Sequence, residues 1–420
     1  MKNDETSTDD GAPSYTFPEH DIHSAEHVSA HTVPKETSFP TPMPRTERQR
    51  TSHNRMPFIL LAMVVVILVA LVGGYGVFHA VSQPSSAFQV AHCPFVLDTT
   101  LVEGKNVTCG FLSVPEDRSL LKSPTLHLAV AIFKSSSSKP APDPVIFLSG
   151  GPGDALLVNQ GPRYNSGNLP PNRDLILLDQ RGTGYSQPSL RCLDNETLQA
   201  CHARLVQSGI NLNAFTTMED AADVHDLIRA LGYQQVNLYG VSFGTRLALT
   251  VMRIYPADIR SVVLNSTYPP QANLFTSTPQ ATERAFDVLF RGCAADRHCN
   301  TAYPYLRDVF FQDITELNTT PITFQASPLS GIPVPVHFTG NDLVLWMRQA
   351  MYSTFLIPEL PRAIYQVHQH GYILLSSIYG SLISTTGSTG LFYSIECGED
   401  MAYTSQHALE ASVQTLPPQI

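Results

Sequence analysis

Polar, proline and charged positions follow one another through residues 1–55 without an apolar period. Such a stretch buries too little surface to order itself, so it reads as a disordered tail. The pattern then inverts. Within PFILLAMVVVILVALVGGYGVFHA, residues 58–78 carry no charge. About 20 apolar residues is the length that spans a hydrocarbon core, so 56–81 is expected to be a transmembrane helix. The run is too long for the apolar region of a cleaved signal peptide. The polar stretch around SQPSSAFQ makes 82–92 a linker.

From residue 93 short apolar runs alternate with helical periods. NVTCGFLSVPED and LHLAVAIFKS read as strands parted by turn residues, and the second alternates well. VIFLSGGPGD and DLILLDQRGTGYS are buried strands that end in glycines. Ala221, Val224, Leu227, Ile228 and Leu231 recur at helical spacing, with Thr217 as N-cap and Gly232 just past the end. QVNLYGVS is another strand, GTRLALTVMRIYP a helix stopped near Pro256, and IRSVVLNS one more strand. Strands alternating with helices imply a mostly parallel sheet of α/β class over 93–268.

The period changes after that. QATERAFDVLFRGCA and NDLVLWMRQAMYSTF are helical, so 269–390 reads as an inserted helical lid. Residues 391–420 begin a return to the core: FYSIECGEDMAY as a short strand or loop, then a helix start.

Composition adds three constraints. A formal charge of −10 with no basic stripe argues against a nucleic-acid partner. Arg45, Arg48, Arg50 and Arg55 precede the apolar run, while residues 81–96 hold no Lys or Arg. The N-terminus is therefore expected in the cytoplasm and everything after about Ser82 outside. That side is oxidising and permits disulfides. Neighbouring cysteines suggest Cys93 with Cys109, Cys192 with Cys201 and Cys293 with Cys299, leaving Cys397 alone.

The candidate chemistry centres on Gly240-Val241-Ser242-Phe243-Gly244, between a buried strand and a helix. A serine hydroxyl needs a base, and the attacked carbonyl needs donors for its oxyanion. G-x-S-x-G suits a sharp strand-to-helix turn that exposes the serine oxygen. The bare backbone of Gly150-Gly151-Pro152-Gly153 can turn a second donor towards it. The expected oxyanion hole is the N–H of Phe243 with that of Gly151, or of Gly150. Asp179, in Asp179-Gln180-Arg181-Gly182-Thr183-Gly184, precedes the serine and reads as a residue tying loops together rather than as a catalytic acid.

FLSGGPGD, LDQRGTGYS, TTMEDAADVHDLIRALGYQQVNLYGVSFGTRLAL and SVVLNSTYPP together resemble the α/β-hydrolase fold. More closely, they are similar to the proline iminopeptidase and secreted tripeptidyl aminopeptidase group. CGFLSVPEDRS resembles the entry to that group's domain, and SIECGEDMAY a cysteine-containing segment after its lid. The resemblance covers about residues 93–270. It implies an extracytoplasmic serine peptidase acting on peptide N-termini, or an esterase, with a peptide or small ester as substrate. Many members carry His before Gly-Gly-Pro-Gly, and here Ser149 stands there. That should alter the loop's hydrogen bonds without removing its backbone donors.

The resemblance implies the order Ser, then acid, then His. After Ser242 the acids include Asp258, Asp287, Asp308, Asp342 and Asp400, and the histidines His298, His337, His368, His370 and His407. None sits in a strand–loop context. Asp400 with His407 has the right order, but seven residues are too few for the intervening helix and strand. The acid and base are therefore expected beyond Ile420, on last core strands absent here. His368 and His370 form an H-x-H at a lid helix end, without further ligands for a metal. No metal and no cofactor is expected, because serine chemistry needs none. Glu396 and Glu399 stand in an acidic cluster that either meets a substrate ammonium or is a solvated loop. The competing reading is a hydrolase scaffold without a base that binds peptides or a surface partner.

Overall fold

Alternation along TLHLAVAIF sorts its side chains between two apolar layers. Leu128, Val130 and Ile132 enter one buried cluster, while Ala129, Ala131 and Phe133 enter another. In a pleated strand successive side chains point to opposite faces, so this strand must be covered on both. The computed structural model describes residues 87–193, 196–326, 333–382 and 387–419. The expected membrane helix and the tail before it lie outside them, and no helix among the described residues is long and apolar enough to cross a membrane.

Seven strands form one sheet: β1 (Ala87–Ala91), β2 (Val107–Pro115), β3 (Thr125–Phe133), β4 (Val145–Leu148), β5 (Leu175–Leu178), β6 (Val236–Val241) and β7 (Ile259–Asn265). Their order is β1-β2-β3-β5-β4-β6-β7. β5, β4, β6 and β7 pair in parallel. β3 is antiparallel to β5 and to β2, and β1 is antiparallel to β2. β2 therefore runs with the parallel four, so the sheet is mostly parallel in direction. β7 is the edge strand among the described residues, and its Val263 is 53% exposed.

β1 lies inside the stretch expected to be a linker. It pairs from Ala87 opposite Ser113 to Ala91 opposite Cys109. It presents only one partly covered face, and Val90 is 73% exposed, so it carries no apolar run that would mark a strand. Helices α1 (Leu156–Gln160), α2 (Leu198–Gln207), α3 (Thr217–Ala230) and α4 (Phe243–Ile254) connect the later strands. The N-cap of α3 is Thr216, whose hydroxyl accepts from Glu219 N, and not Thr217. Gly232 follows the helix at φ +77°, as its position suggested.

The next segment contains α5 (Leu274–Ala295), α6 (Arg297–Ala302), α7 (Leu306–Thr319), α8 (Gly340–Ala350), α9 (Leu360–His368) and α10 (Ile373–Leu382). Between α7 and α8 a hairpin of β8 (Ile322–Ala326) and β9 (Val334–Phe338) interrupts the helices expected there. The segment has its own core, built on Phe286, Phe290, Phe310, Trp346 and Ile364. The chain then forms α11 (Thr389–Ile395), a π-turn at Glu396–Asp400 and α12 (Gln406–Val413). This is helical where a strand or loop was expected. Leu391 and Ile395 of α11 pack into the cluster of the sheet.

The three expected disulfides are formed, Cys93–Cys109, Cys192–Cys201 and Cys293–Cys299. Cys397 is an exposed thiol.

Candidate active site

The turn from β6 into α4 places Ser242 at φ 53° and ψ −121°. A side chain in that region costs on the order of 1–3 kcal/mol and persists only where surroundings impose it. The surroundings here are two close backbone approaches. A Cβ on Gly240 would stand 2.5 Å from the Gly244 carbonyl oxygen, and a Cβ on Gly244 would collide with the backbone of Leu148. Only glycine fits either position, which is the physical content of the G-x-S-x-G spacing. The elbow is pinned further by Ser242 N donating to Asn265 O at 3.0 Å and Thr245 N to Ser242 O at 2.9 Å.

The glycine-rich turn after β4 packs onto this elbow. A Cβ on Gly150 would stand 3.1 Å from Ser242 Cβ and 3.6 Å from its Oγ. Gly151 follows at φ +106°, before a cis peptide to Pro152. Phe243 is the first residue of α4, and the leading N–H groups of a helix have no partner within it. The turn and the helix start therefore flank Ser242 together. Ser149 is buried and its hydroxyl finds no partner among the described residues, while its carbonyl accepts from Gln180 Nε2 at 3.3 Å.

Asp179 is fully buried and accepts from Leu157 N and Tyr185 N, each at 2.8 Å. It joins the start of α1 to the 182–185 loop, the structural part expected of it. Burial pushes its carboxyl up to about 6 against those two hydrogen bonds. Arg181 beside it is fully buried and chelates Asp223 at 2.8 Å through both Nε and Nη2.

Among the described residues no histidine hydrogen-bonds Ser242. His225 pairs with Asp258 at 2.5 Å and stacks on Tyr255. That pair sits before β7, whereas Ser242 follows β6. The two strands are parallel, so a strand length of about 20 Å separates them. His368 pairs with Asp313 at 2.8 Å and His370 lies 3.8 Å from Glu316. His298, His337 and His407 are exposed. Asp287 pairs with Arg291, and Asp342 closes a capping box with Thr339 at the start of α8. Asp308 lies in the first turn of α7.

The candidate pair Asp400–His407 is not assembled. Asp400 is buried and fully engaged: Arg246 Nη2 donates to it at 2.9 Å, Tyr268 Oη at 2.5 Å and Leu274 N at 2.7 Å. Arg246 also lies over the Tyr268 ring at 4.4 Å. This cluster sits one helical turn from Ser242 on α4, and neither Arg246 nor Tyr268 was singled out from sequence. Only their residue types hinted at it, since a buried Arg needs a carboxylate.

The two glutamates of the acidic segment have parted roles, and the segment is not a solvated loop. Glu399 accepts from Thr217 N and Thr217 Oγ1, each at 2.6 Å, so it holds the start of α3 rather than facing substrate. Glu396 is wholly buried, and among the described residues both of its carboxylate oxygens lack a partner. Burial first, then Asp400 and Glu399, raise it to about 7 against the pull of Arg246.

Residues 143–301 match the family model of the alpha/beta hydrolase fold. The chain is 27% identical over 209 residues to the tripeptidyl aminopeptidase of Streptomyces lividans, covering 40% of this chain and 38% of that one. It is 24% identical over 289 residues to the serine protease Hip1 of Mycobacterium tuberculosis, covering 62% of this chain and 55% of that one. It is 27% identical over 137 residues to the proline iminopeptidase of Neisseria meningitidis, covering 33% of this chain and 36% of that one. The chain spans about half the length, or less, of the relatives it matches. The fold is that of the α/β hydrolases, and the relatives are hydrolases named as serine or N-terminal peptidases.

Proposed function

We propose that this α/β hydrolase is a serine peptidase releasing residues from peptide N-termini through an acyl-enzyme on Ser242. The observation that carries the reading is the strained elbow: a serine at φ 53° with the 150–153 turn packed against it. Ser242 Oγ attacks the scissile carbonyl. The N–H of Phe243 and that of Gly151, or of Gly150, receive the oxyanion. The amine leaves, and water then releases the acyl group. A histidine must take and return the proton, and it comes with its acid from outside the described residues. A helix over 56–81 holds the protein in the cell membrane, N-terminus in the cytoplasm and hydrolase outside. The three disulfides support an oxidising side.

Glu396 is the carboxylate available to a substrate ammonium, because Glu399 and Asp400 are engaged. It is closed over in this conformation, so an amine reaches it only as the helical segment opens. The test is hydrolysis of an alanyl-4-nitroanilide, its N-acetyl form and an acetyl ester. Glu396→Gln should raise KM about tenfold for the free amine, a charge-assisted hydrogen bond's worth, and spare the other two. Ser242→Ala should abolish all three. Equal losses in Glu396→Gln would remove the ammonium role. Turnover of the ester alone would favour an esterase. A second reading, a scaffold that binds peptides or a surface partner without turning them over, is favoured by the absence of a histidine at Ser242 among the described residues. Binding without hydrolysis of any of the three would select it.

A further inference from the structure

A cavity of about 550 Å³ opens beside the 150–153 turn. Its walls are that turn, Asp154, Asn159, Gln349 of α8 and the start of α11, where Phe392 and Tyr393 lie. This volume suits one or two side chains of a bound molecule. Among the described residues that line it, Asp154 is the one charged residue. We infer that this cavity is a cation subsite, in which Asp154 receives the ammonium or guanidinium of a basic residue in the substrate. The inference rests on Ser242 as the acylated residue.

The geometry places Asp154 one turn from the residue that packs against Ser242. Asp154 N donates to Gly150 O at 3.4 Å, which folds it back by one turn towards the residue that touches Ser242. The cavity is thus on the order of 10 Å from Ser242, about three residues of extended chain. The basic residue is the one acylated or one within two positions of it.

The charge around the cavity is one-sided. Asp154 is half-buried and accepts from Asn159 Nδ2 at 2.7 Å through Oδ1. Among the described residues its second oxygen has no partner. Burial raises its carboxyl, and Asn159 opposes that. Asp179 behind the turn adds a second negative charge when ionised. Two cations are near in sequence and point elsewhere. Arg163 donates Nε to the Asn159 main-chain oxygen at 2.8 Å, and Arg348 lines a separate cavity with Ser266 and Tyr352. Residues 371–395, which run into α11, contain no Lys, Arg or His at all. A cation entering here meets the Asp154 carboxylate and two aromatic wall residues, Phe392 and Tyr393, both favourable surroundings for it.

The test separates binding from turnover. Tripeptide amides carrying arginine or its neutral isostere citrulline at each position in turn are titrated calorimetrically against the full chain with Ser242→Ala. At one position arginine should bind about tenfold tighter than citrulline, the order of one charge-assisted hydrogen bond. Adding Asp154→Asn, which keeps a partner for Asn159, should bring that ratio to about one while citrulline binding holds within about twofold. No arginine preference at any position would overturn the proposal. So would equal weakening of both peptides by Asp154→Asn, which would make Asp154 a prop of the turn. If the arginine preference depends on Asp154 but a fluorophosphonate never labels Ser242, the hydrolase reading falls and the cation site stands. If Ser242 is labelled and no preference exists, only the cation site falls.

Discussion

The elbow at Ser242 and the π-turn at Glu396–Asp400 meet the same helix one turn apart, the π-turn through Arg246 of α4, yet they are held by opposite means. At the elbow the backbone does the holding. Gly240 and Gly244 let β6, α4 and Leu148 approach more closely than any Cβ allows, and Ser242 takes its positive φ as the consequence. At the π-turn side chains do it. Asp400 gathers Arg246, Tyr268 and Leu274 N, and Glu399 reaches Thr217, across sequence separations of 126 to 182 residues. A backbone-built site is indifferent to pH and salt. A carboxylate-built site is not, and Glu396, unpartnered among these charges, is where it is poised to respond.

The largest expected effect comes from removing the centre of the side-chain cluster. Asp400→Asn leaves Arg246 buried opposite a neutral group, which costs about 3–5 kcal/mol when one partner of a buried pair is lost. Chemical denaturation should show that loss. Hydrogen exchange should show α11 and the π-turn opening while the amides of β6 and α4 stay protected. Uniform loss of protection would break the distinction between the two regions.

Gly244→Ala tests the other side. Its Cβ meets the Leu148 backbone, which has no rotamer to change. The cost should reach or pass the upper end of the ~1–3 kcal/mol typical of overpacking, with the pH dependence of stability unchanged. A variant within ~0.5 kcal/mol of the parent, the range of ordinary surface substitutions, would mean that the close approach is not what shapes the elbow.

The smallest effect is a slope with pH. Glu396 titrates near 7 in the fold and Asp179 and Asp313 near 6, all above their ordinary values because they are buried. The folded state therefore binds these protons more tightly than the unfolded chain does. Their contribution is complete below the unfolded carboxylate range and is lost as pH rises through about 4 to 7. The Tm should be higher at pH 5.5 than at 7.5, and Glu396→Gln should shrink that difference mainly by raising the value at pH 7.5. A Tm that rises with pH over this window, or a slope untouched by Glu396→Gln, would contradict the burial of Glu396 as an ionisable group.

The same contrast decides how much was legible in the sequence. The elbow, the 150–153 turn and the parts of Asp179 and Gly232 follow from residues within a few positions of one another, where spacing and residue type suffice. β1 was hidden because an edge strand with one covered face has no apolar run. The β8–β9 hairpin was hidden because its two short strands fall between strong helical periods. Thr216 and Thr217 are both good caps by type. What separates them is Glu399, 182 residues from Thr217, and no local pattern carries that. The acidic segment read as strand or loop for the same reason: its helical form is fixed by Arg246, Tyr268 and Asn273 from elsewhere in the chain.

The central claim is that Ser242 is built as a nucleophile, and one measurement reaches it most directly. The full-length protein, in an extract of the cells that make it, is treated with a fluorophosphonate, digested and analysed by peptide mass, beside the Ser242→Ala variant. The account predicts one phosphonate on the peptide holding Ser242 in the parent protein and none in the variant. An unmodified Ser242 under conditions that label known serine hydrolases in the same extract would contradict it.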